Sequence, residues 1–270
     1  MEELTDMIKS RKSVRTFDGR LLSEEHSRAI AEYIKEIKNP FNIPVEFVLL
    51  NAEEHGLSSP VLSGEQMYVA GKVEKRPYAD VAFGYSFERL VMYAWTLGIG
   101  TVWIGGTMNR DRFEEATGVR DGEMMPCISP LGYPAKKKSV KETLMRKGVG
   151  ADSRISADKL FFAEEWGQAL KPDEDMADIL ELVRWAPSAV NKQPWRLICK
   201  DGVHHFYEKK DKGYVSDATG DMQKIDIGIA LCHFIMGLED RGLQSDVIVD
   251  DPGLTVPAEA EYIASVRIKR

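Results

Sequence analysis

Two stretches of the chain are apolar on nearly every helical face. Between residues 78 and 100 the positions Val81, Phe83, Gly84, Phe87, Leu90, Val91, Ala94, Trp95 and Leu97 follow helical spacing. From residue 222 to 243 the same is true of Ile225, Ile227, Gly228, Leu231, Phe234, Ile235 and Leu238. A helix that is hydrophobic all round belongs inside a core, so both are expected to be buried central helices, closed at Gly98 and Gly242. Two other segments carry a single apolar stripe. Residues 23–37 turn Ala29, Ile30, Tyr33, Ile34 and Ile37 to one side behind a serine cap, and residues 173–185 do so with Met176, Ile179, Leu180 and Val183. Strands are expected at 44–49, 127–131, 194–199 and 263–268, and Asp201-Gly202 between apolar runs reads as a two-residue hairpin turn.

Strand, buried helix and strand recur in the same order. Gly98 and Gly242 stand 144 positions apart, a spacing that also sets Gly84 against Gly228 and Leu90 against Phe234; Pro44 and Pro194, which open two of the strands, stand 150 apart. Such order at a near-constant spacing fits an internal duplication, although any α/β chain can repeat these elements. The expectation is an α+β protein of two homologous halves, residues 1–160 and 161–270, each a mixed or antiparallel sheet flanked by helices around the long central ones. They would connect through residues 148–172, where the apolar Leu160-Phe161-Phe162 is suited to docking on the opposite half.

Composition narrows the function. With 270 residues, 43% hydrophobic and 29% charged, the chain can bury a sizeable core. A net charge of -7 argues against a nucleic-acid partner, which calls for a basic face. Cys127, Cys199 and Cys232 are too few and too scattered for a zinc site or a disulfide framework, and they point to a reducing compartment. The acidic opening and the lack of a long apolar run lead us to expect a cytoplasmic protein with no membrane contact. Among the histidines none pairs with a serine or cysteine nucleophile, and His233 on a buried helix reads as a satisfied core residue.

Two polar motifs carry the chemistry. Arg11-Lys12-Ser13-Val14-Arg15 packs three cations and a hydroxyl into five residues, a set suited to forked, charge-assisted bonds to a phosphate, and equally to a solvated helix end. Pro187-Ser188-Ala189-Val190-Asn191-Lys192-Gln193-Pro194-Trp195 is more specific, because two prolines fix a stiff path around a Ser-x-x-Asn-x-Gln cluster. The glycine-rich run at 98–106 fails as a dinucleotide fingerprint: Trp103 stands where the third glycine belongs, and the run follows a helix. Gly105 and Gly106 would nonetheless permit close backbone approach to a ligand. Further on come Leu131-Gly132-Tyr133-Pro134, then Lys136, Lys137 and Lys138, then Arg154.

Together these motifs resemble the flavin site of the nitroreductase family, in which the Ser-x-x-Asn-x-Gln loop serves the neighbouring subunit of a homodimer. Here both motifs lie on one chain, about one subunit-length apart. The resemblance implies a nitroreductase-like pseudo-dimer, a single-chain branch, with one complete FMN site between its halves. It implies that Arg11, Lys12 and Ser13 hold the phosphate and ribityl end, that Arg15 reaches the N1/O2 edge and steadies the reduced flavin, and that backbone at Gly105 and Gly106 faces N5 and O4. Pro187, Ser188 and Asn191 would contact the flavin from the second half, and Arg154 or one of Lys136, Lys137 and Lys138 would complete the phosphate pocket. The first half lacks the Ser-x-x-Asn-x-Gln loop and the second lacks Arg-x-Ser-x-Arg, so a second site is expected to be lost.

The function so implied is that of an FMN-dependent NAD(P)H oxidoreductase, passing two electrons in a ping-pong cycle through flavin N5 to a nitroaromatic, quinone or related small acceptor. NADH or NADPH would be the co-substrate, with no metal and no catalytic side chain required. The competing reading is a flavin-binding or flavin-storing protein. A fused pseudo-dimer could be a monomer or associate further.

Overall fold

A computed structural model describes residues 2–137, 139, 143, 148, 150 and 153–269. The first half contains α1 (Glu2–Ser10), α2 (Glu24–Glu36), β1 (Val45–Asn51), β2 (Met67–Glu74), α3 (Ala79–Thr96), α4 (Arg110–Thr117), β3 (Glu123–Met124) and β4 (Ile128–Leu131). After it come β5 (Phe161–Ala163), α5 (Glu174–Arg184), β6 (Trp195–Lys200), β7 (Val203–Lys209), the short pair β8 (Val215–Ser216) and β9 (Gly220–Asp221), α6 (Met222–Asp240), β10 (Ser245–Ile248) and β11 (Ala260–Ile268).

Local chemistry explains the boundaries. The Ser23 hydroxyl accepts from His26 N at 3.1 Å to start α2, and the Asp173 carboxylate accepts from Met176 N at 2.9 Å to start α5. Asp201 and Gly202 adopt φ of 50° and 74°, the twist that lets β6 turn directly into β7. All four expected strands and all four expected helices form.

Two sheets flank the central helices. In one, β2 pairs antiparallel with β1 along one edge and with β3 and β4 along the other; the second runs β10-β11-β7-β6-β5, antiparallel except for β5 beside β6. The order β1-β2-β4 is matched by β6-β7-β11. Leu160, Phe161 and Phe162 are buried, and β5 carries them onto the edge of β6 in the second sheet, as their apolarity suggests.

α3 and α6 cross in the centre of a single hydrophobic core to which both halves contribute, from Ile30, Val69 and Phe87 to Leu197, Phe234 and Val266. The crossing is made by small residues. A Cβ on Gly84 would fall on the Ile225 carbonyl, and a Cβ on Gly228 would fall on the Val81 carbonyl, so the two backbones touch. Only glycine allows that approach.

Candidate flavin site

The N-terminal cations are fixed by the strand-like segment after α3. Val14 is buried against Gly100, where an added Cβ would lie 2.8 Å from the Val14 side chain, and Val14 N donates to Thr101 O at 2.9 Å. With Val14 inward, Ser13 and Arg15 are half-buried on either side and Lys12 is exposed. Arg11 sits half-buried at the end of α1, with its N–H on Met7 O at 2.9 Å. Downstream, Ala135 N donates to Thr16 O at 3.0 Å, which places the exposed Lys136 and Lys137 beyond the same segment. Lys138 lies outside the described residues.

Farther along that segment, Arg110 donates to Gly105 O at 2.6 Å and to Met125 O at 2.7 Å, clamping the turn. The Cβ position of Gly105 lies 3.1 Å from Met222 Cε, at the first residue of α6, whereas the Cβ position of Gly106 meets no atom within 4 Å.

The proline-bounded loop 187–194 lies over the start of α6. Both oxygens of the Asp226 carboxyl stand 3.1 Å from Ala189 N, and the Ser188 hydroxyl accepts from Gln193 N at 2.9 Å. Val190, Asn191 and Gln193 have φ of 45°, 58° and 52°, three left-handed non-glycine residues within four positions. Strain of this kind gathers where the surroundings over-determine a backbone. The Asn191 amide donates to Gly150 O at 2.8 Å and to Ser153 O at 3.1 Å, so it anchors the chain leading to Arg154. Arg154 lies with its guanidinium 4.7 Å from the centre of the Trp185 ring and donates to Ser153 O at 2.7 Å. Trp195 is fully buried at the head of β6.

These contacts close a ring. Trp185 bears Arg154 on its face and packs against the buried cluster of Met92, Leu182 and Ile8, the last of these on α1, whose final residue precedes Arg11. Gly105 and the 187–194 loop meet at the first turns of α6. The sequence-selected residues from opposite ends of the chain thus share neighbours. The donor set, cationic with hydroxyls and backbone and with open space at Gly106, suits an anionic planar ligand such as FMN.

Acidic groups missed by motif reading surround the start of α6. Burial pushes the Asp226 carboxyl well above the ordinary range, Asp80 up to about 6, and Glu208 up to about 7. The available signal was a charged residue interrupting an all-apolar helix, as Asp226 does between Ile225 and Ile227 and as Glu88 does after Phe87. The described residues contain no group of side chains able to hold a metal.

A cavity of about 590 Å³ lies elsewhere, between the end of α2 and β10, with Tyr33, Asn39, Arg89, Glu239 and Ser245 in its wall. It contains none of the motif residues.

Against known proteins, the family model described as "Putative TM nitroreductase" matches residues 3–238. The chain belongs to this nitroreductase family. A relative from Archaeoglobus fulgidus described as "Putative NADH dehydrogenase/NAD(P)H nitroreductase" is 26% identical over 183 residues, covering 62% of this chain and all of the relative. The crystal structure of a "putative nitroreductase" from Thermotoga maritima superposes with a TM-score of 0.62 at 20% identity, over 97% of this chain and 92% of that one. That likeness extends the nitroreductase fold to the whole chain. An FMN-dependent nitroreductase from Clostridium difficile R20291 covers 52% of this chain and 94% of its own, at 18% identity and a TM-score of 0.41. No helix among the described residues is long and apolar enough to cross a membrane.

Proposed function

We propose that this chain is an FMN-dependent NAD(P)H oxidoreductase whose single flavin site is assembled from its two halves, and that it reduces a small nitroaromatic, quinone or related acceptor by a two-electron ping-pong cycle. One observation carries the reading. The Arg11–Arg15 cations and the 187–194 loop, separated by most of the sequence, are linked through Trp185 on one side and the start of α6 on the other.

Bound FMN supplies the two-electron exchange between nicotinamide and acceptor. Arg11, Lys12, Ser13 and Arg154 would hold its phosphate end by charge-assisted bonds, and Arg15 would bring a cation to the pyrimidine edge. Backbone at Gly105 and Gly106 would lie against the ring system, where the space beside Gly106 admits close approach. Pro187, Ser188 and Asn191 would complete the wall from the second half. Asn191 acts partly by holding Gly150 and Ser153, and with them Arg154.

The duplication accounts for a site on one side only. At the 144 spacing, Trp95 and Thr101 correspond to Glu239 and Ser245. Trp95 donates its indole N–H to the Ser10 hydroxyl at 3.2 Å and Thr101 O accepts from Val14 N, whereas Glu239 and Ser245 border the open cavity of about 590 Å³. The second half supplies no counterpart of α1 and its arginines, which supports a pseudo-dimer with halves 1–160 and 161–270 that kept one of two ancestral sites.

The test is the visible spectrum of purified protein supplied with FMN, followed by anaerobic NADH and then NADPH. Flavin bands that bleach rapidly are expected. Bands that persist would replace the reductase reading by a flavin-binding one, and failure to take up FMN would overturn both. Replacing Arg11 and Arg15 together by alanine should abolish flavin retention in a folded chain; full retention would reject the site.

A further inference from the structure

Behind the Gly105–Gly106 turn lies a buried polar chain whose members come from four separate segments. Trp103 donates its indole N–H to Glu88 Oε2 at 3.1 Å, Glu88 Oε1 lies 2.9 Å from His233 Nε2, and His233 Nδ1 lies 2.9 Å from the Leu182 carbonyl. Glu88 and His233 are both fully buried, on α3 and α6 respectively.

The proton arrangement follows from the acceptors. A carbonyl only accepts, so Nδ1 of His233 carries a hydrogen. The Nε2···Oε1 contact then holds one proton, either as imidazolium with carboxylate or as imidazole with carboxylic acid. Both forms are neutral overall, so the pair brings no net charge into the core, and every one of its polar contacts is made within the protein. The remaining carboxyl oxygen points at Trp103, two residues before Gly105. The Trp103 ring is also packed 4.7 Å from Phe87 and 6.5 Å from Phe83, which leaves it little freedom.

The arrangement exists on one side of the molecule only. At the 144 spacing, Glu88, Trp103 and His233 correspond to Cys232, Val247 and Arg89. Arg89 bonds instead to Tyr85 and Glu239, and Val247 has no side-chain donor. A network needed merely to join the two central helices would have no reason to favour the side that carries the flavin motifs. Reciprocal glycine contacts already join those helices in their N-terminal halves.

We infer that Glu88 and His233 are positioning residues for the flavin site, acting through Trp103 to set the backbone at Gly105 and Gly106; this rests on the flavin reading above. The experiment compares wild type with Trp103→Phe, Glu88→Leu and Glu88→Gln. Each is measured for FMN affinity by quenching of flavin fluorescence, for the position of the bound flavin's absorption bands, and for thermal midpoint. Glu88→Gln retains an acceptor for Trp103 and offers an amide to neutral His233, so it should stay within about threefold of wild-type affinity. Trp103→Phe and Glu88→Leu each strand a buried polar group and should weaken FMN binding about tenfold or more, with displaced bands. If the latter two lower the thermal midpoint but leave affinity and bands unchanged, the network is structural and the inference falls. Should Glu88→Leu fail to fold, Trp103→Phe decides alone, because it leaves the Glu88–His233 pair intact. A wild-type protein that takes up no FMN would reject the flavin reading itself, a different outcome from variants that bind like wild type.

Discussion

Gly84 on α3 and Gly228 on α6 occupy reciprocal positions at the helix crossing. Gly84 lies under the Ile225 carbonyl and Gly228 under the Val81 carbonyl, and Val81 precedes Gly84 by the same three residues by which Ile225 precedes Gly228. These reciprocal contacts set how closely α3 and α6 approach. Either glycine replaced by alanine pushes a methyl into backbone that has nowhere to move, which should cost about 3 kcal/mol or more. Urea denaturation of Gly84→Ala, Gly228→Ala and the double variant would check this. The two contacts lie at one helix crossing, so the double variant should lose less than the sum of the singles.

Glu208 makes stability depend on pH. It is fully buried on β7, one carboxyl oxygen has no hydrogen-bond partner, and Asp221, Asp226 and Glu261 face it with Lys224 and Lys210. Burial first, and then the Asp221 charge, raise its carboxyl from 4.5 to about 7. The folded state therefore holds this proton more tightly than the unfolded state. Its contribution is complete below about pH 4.5 and is lost as pH rises through about 7. Glu208→Gln removes that titration, and with about 1.4 kcal/mol per unit of pKa difference the variant should gain of order 3 kcal/mol on wild type between about pH 4.5 and pH 8. Thermal midpoints across that range provide the check; a constant difference would contradict it.

Val190 carries a β-branched side chain at φ 45° while 59% exposed, so it gains little from packing and bears a left-handed backbone. Replacing an exposed valine by glycine usually costs stability through the unfolded chain. Here relief of roughly 1 kcal/mol of strain should offset that loss, and Val190→Gly should melt within about 2 °C of wild type. A looser loop should still lower FMN affinity, separating function from stability at this position.

Asn191→Ala removes the amide that holds Gly150 and Ser153. At this half-buried site the loss of stability should be small, about 1 kcal/mol. FMN affinity should fall roughly tenfold, because the segment carrying Arg154 loses its anchor. Arg154→Met tested beside it should weaken binding without a further drop when the two are combined, since both act on one element.

Much of this protein was legible along the chain. α3 and α6 could be read as buried because they are apolar on every face, the Asp201-Gly202 turn because both residues tolerate positive φ, and α2 and α5 because a capping side chain precedes an apolar stripe. Each of these signals is local, acting over a few residues of the same segment. The family motifs at 11–15 and 187–195 were legible too, since each is a compact run of polar chemistry, and the spacing of Gly84 and Gly228 was visible before their contact was. The pairings were not legible: that these two glycines touch, that Glu88 meets His233 145 residues away, that Arg154 lies on Trp185, or that Asn191 ties down Gly150. Such partners are chosen by how helices and sheets pack in three dimensions. A buried charge announces along the sequence that it needs a partner, but only the packed core decides which distant side chain meets that need.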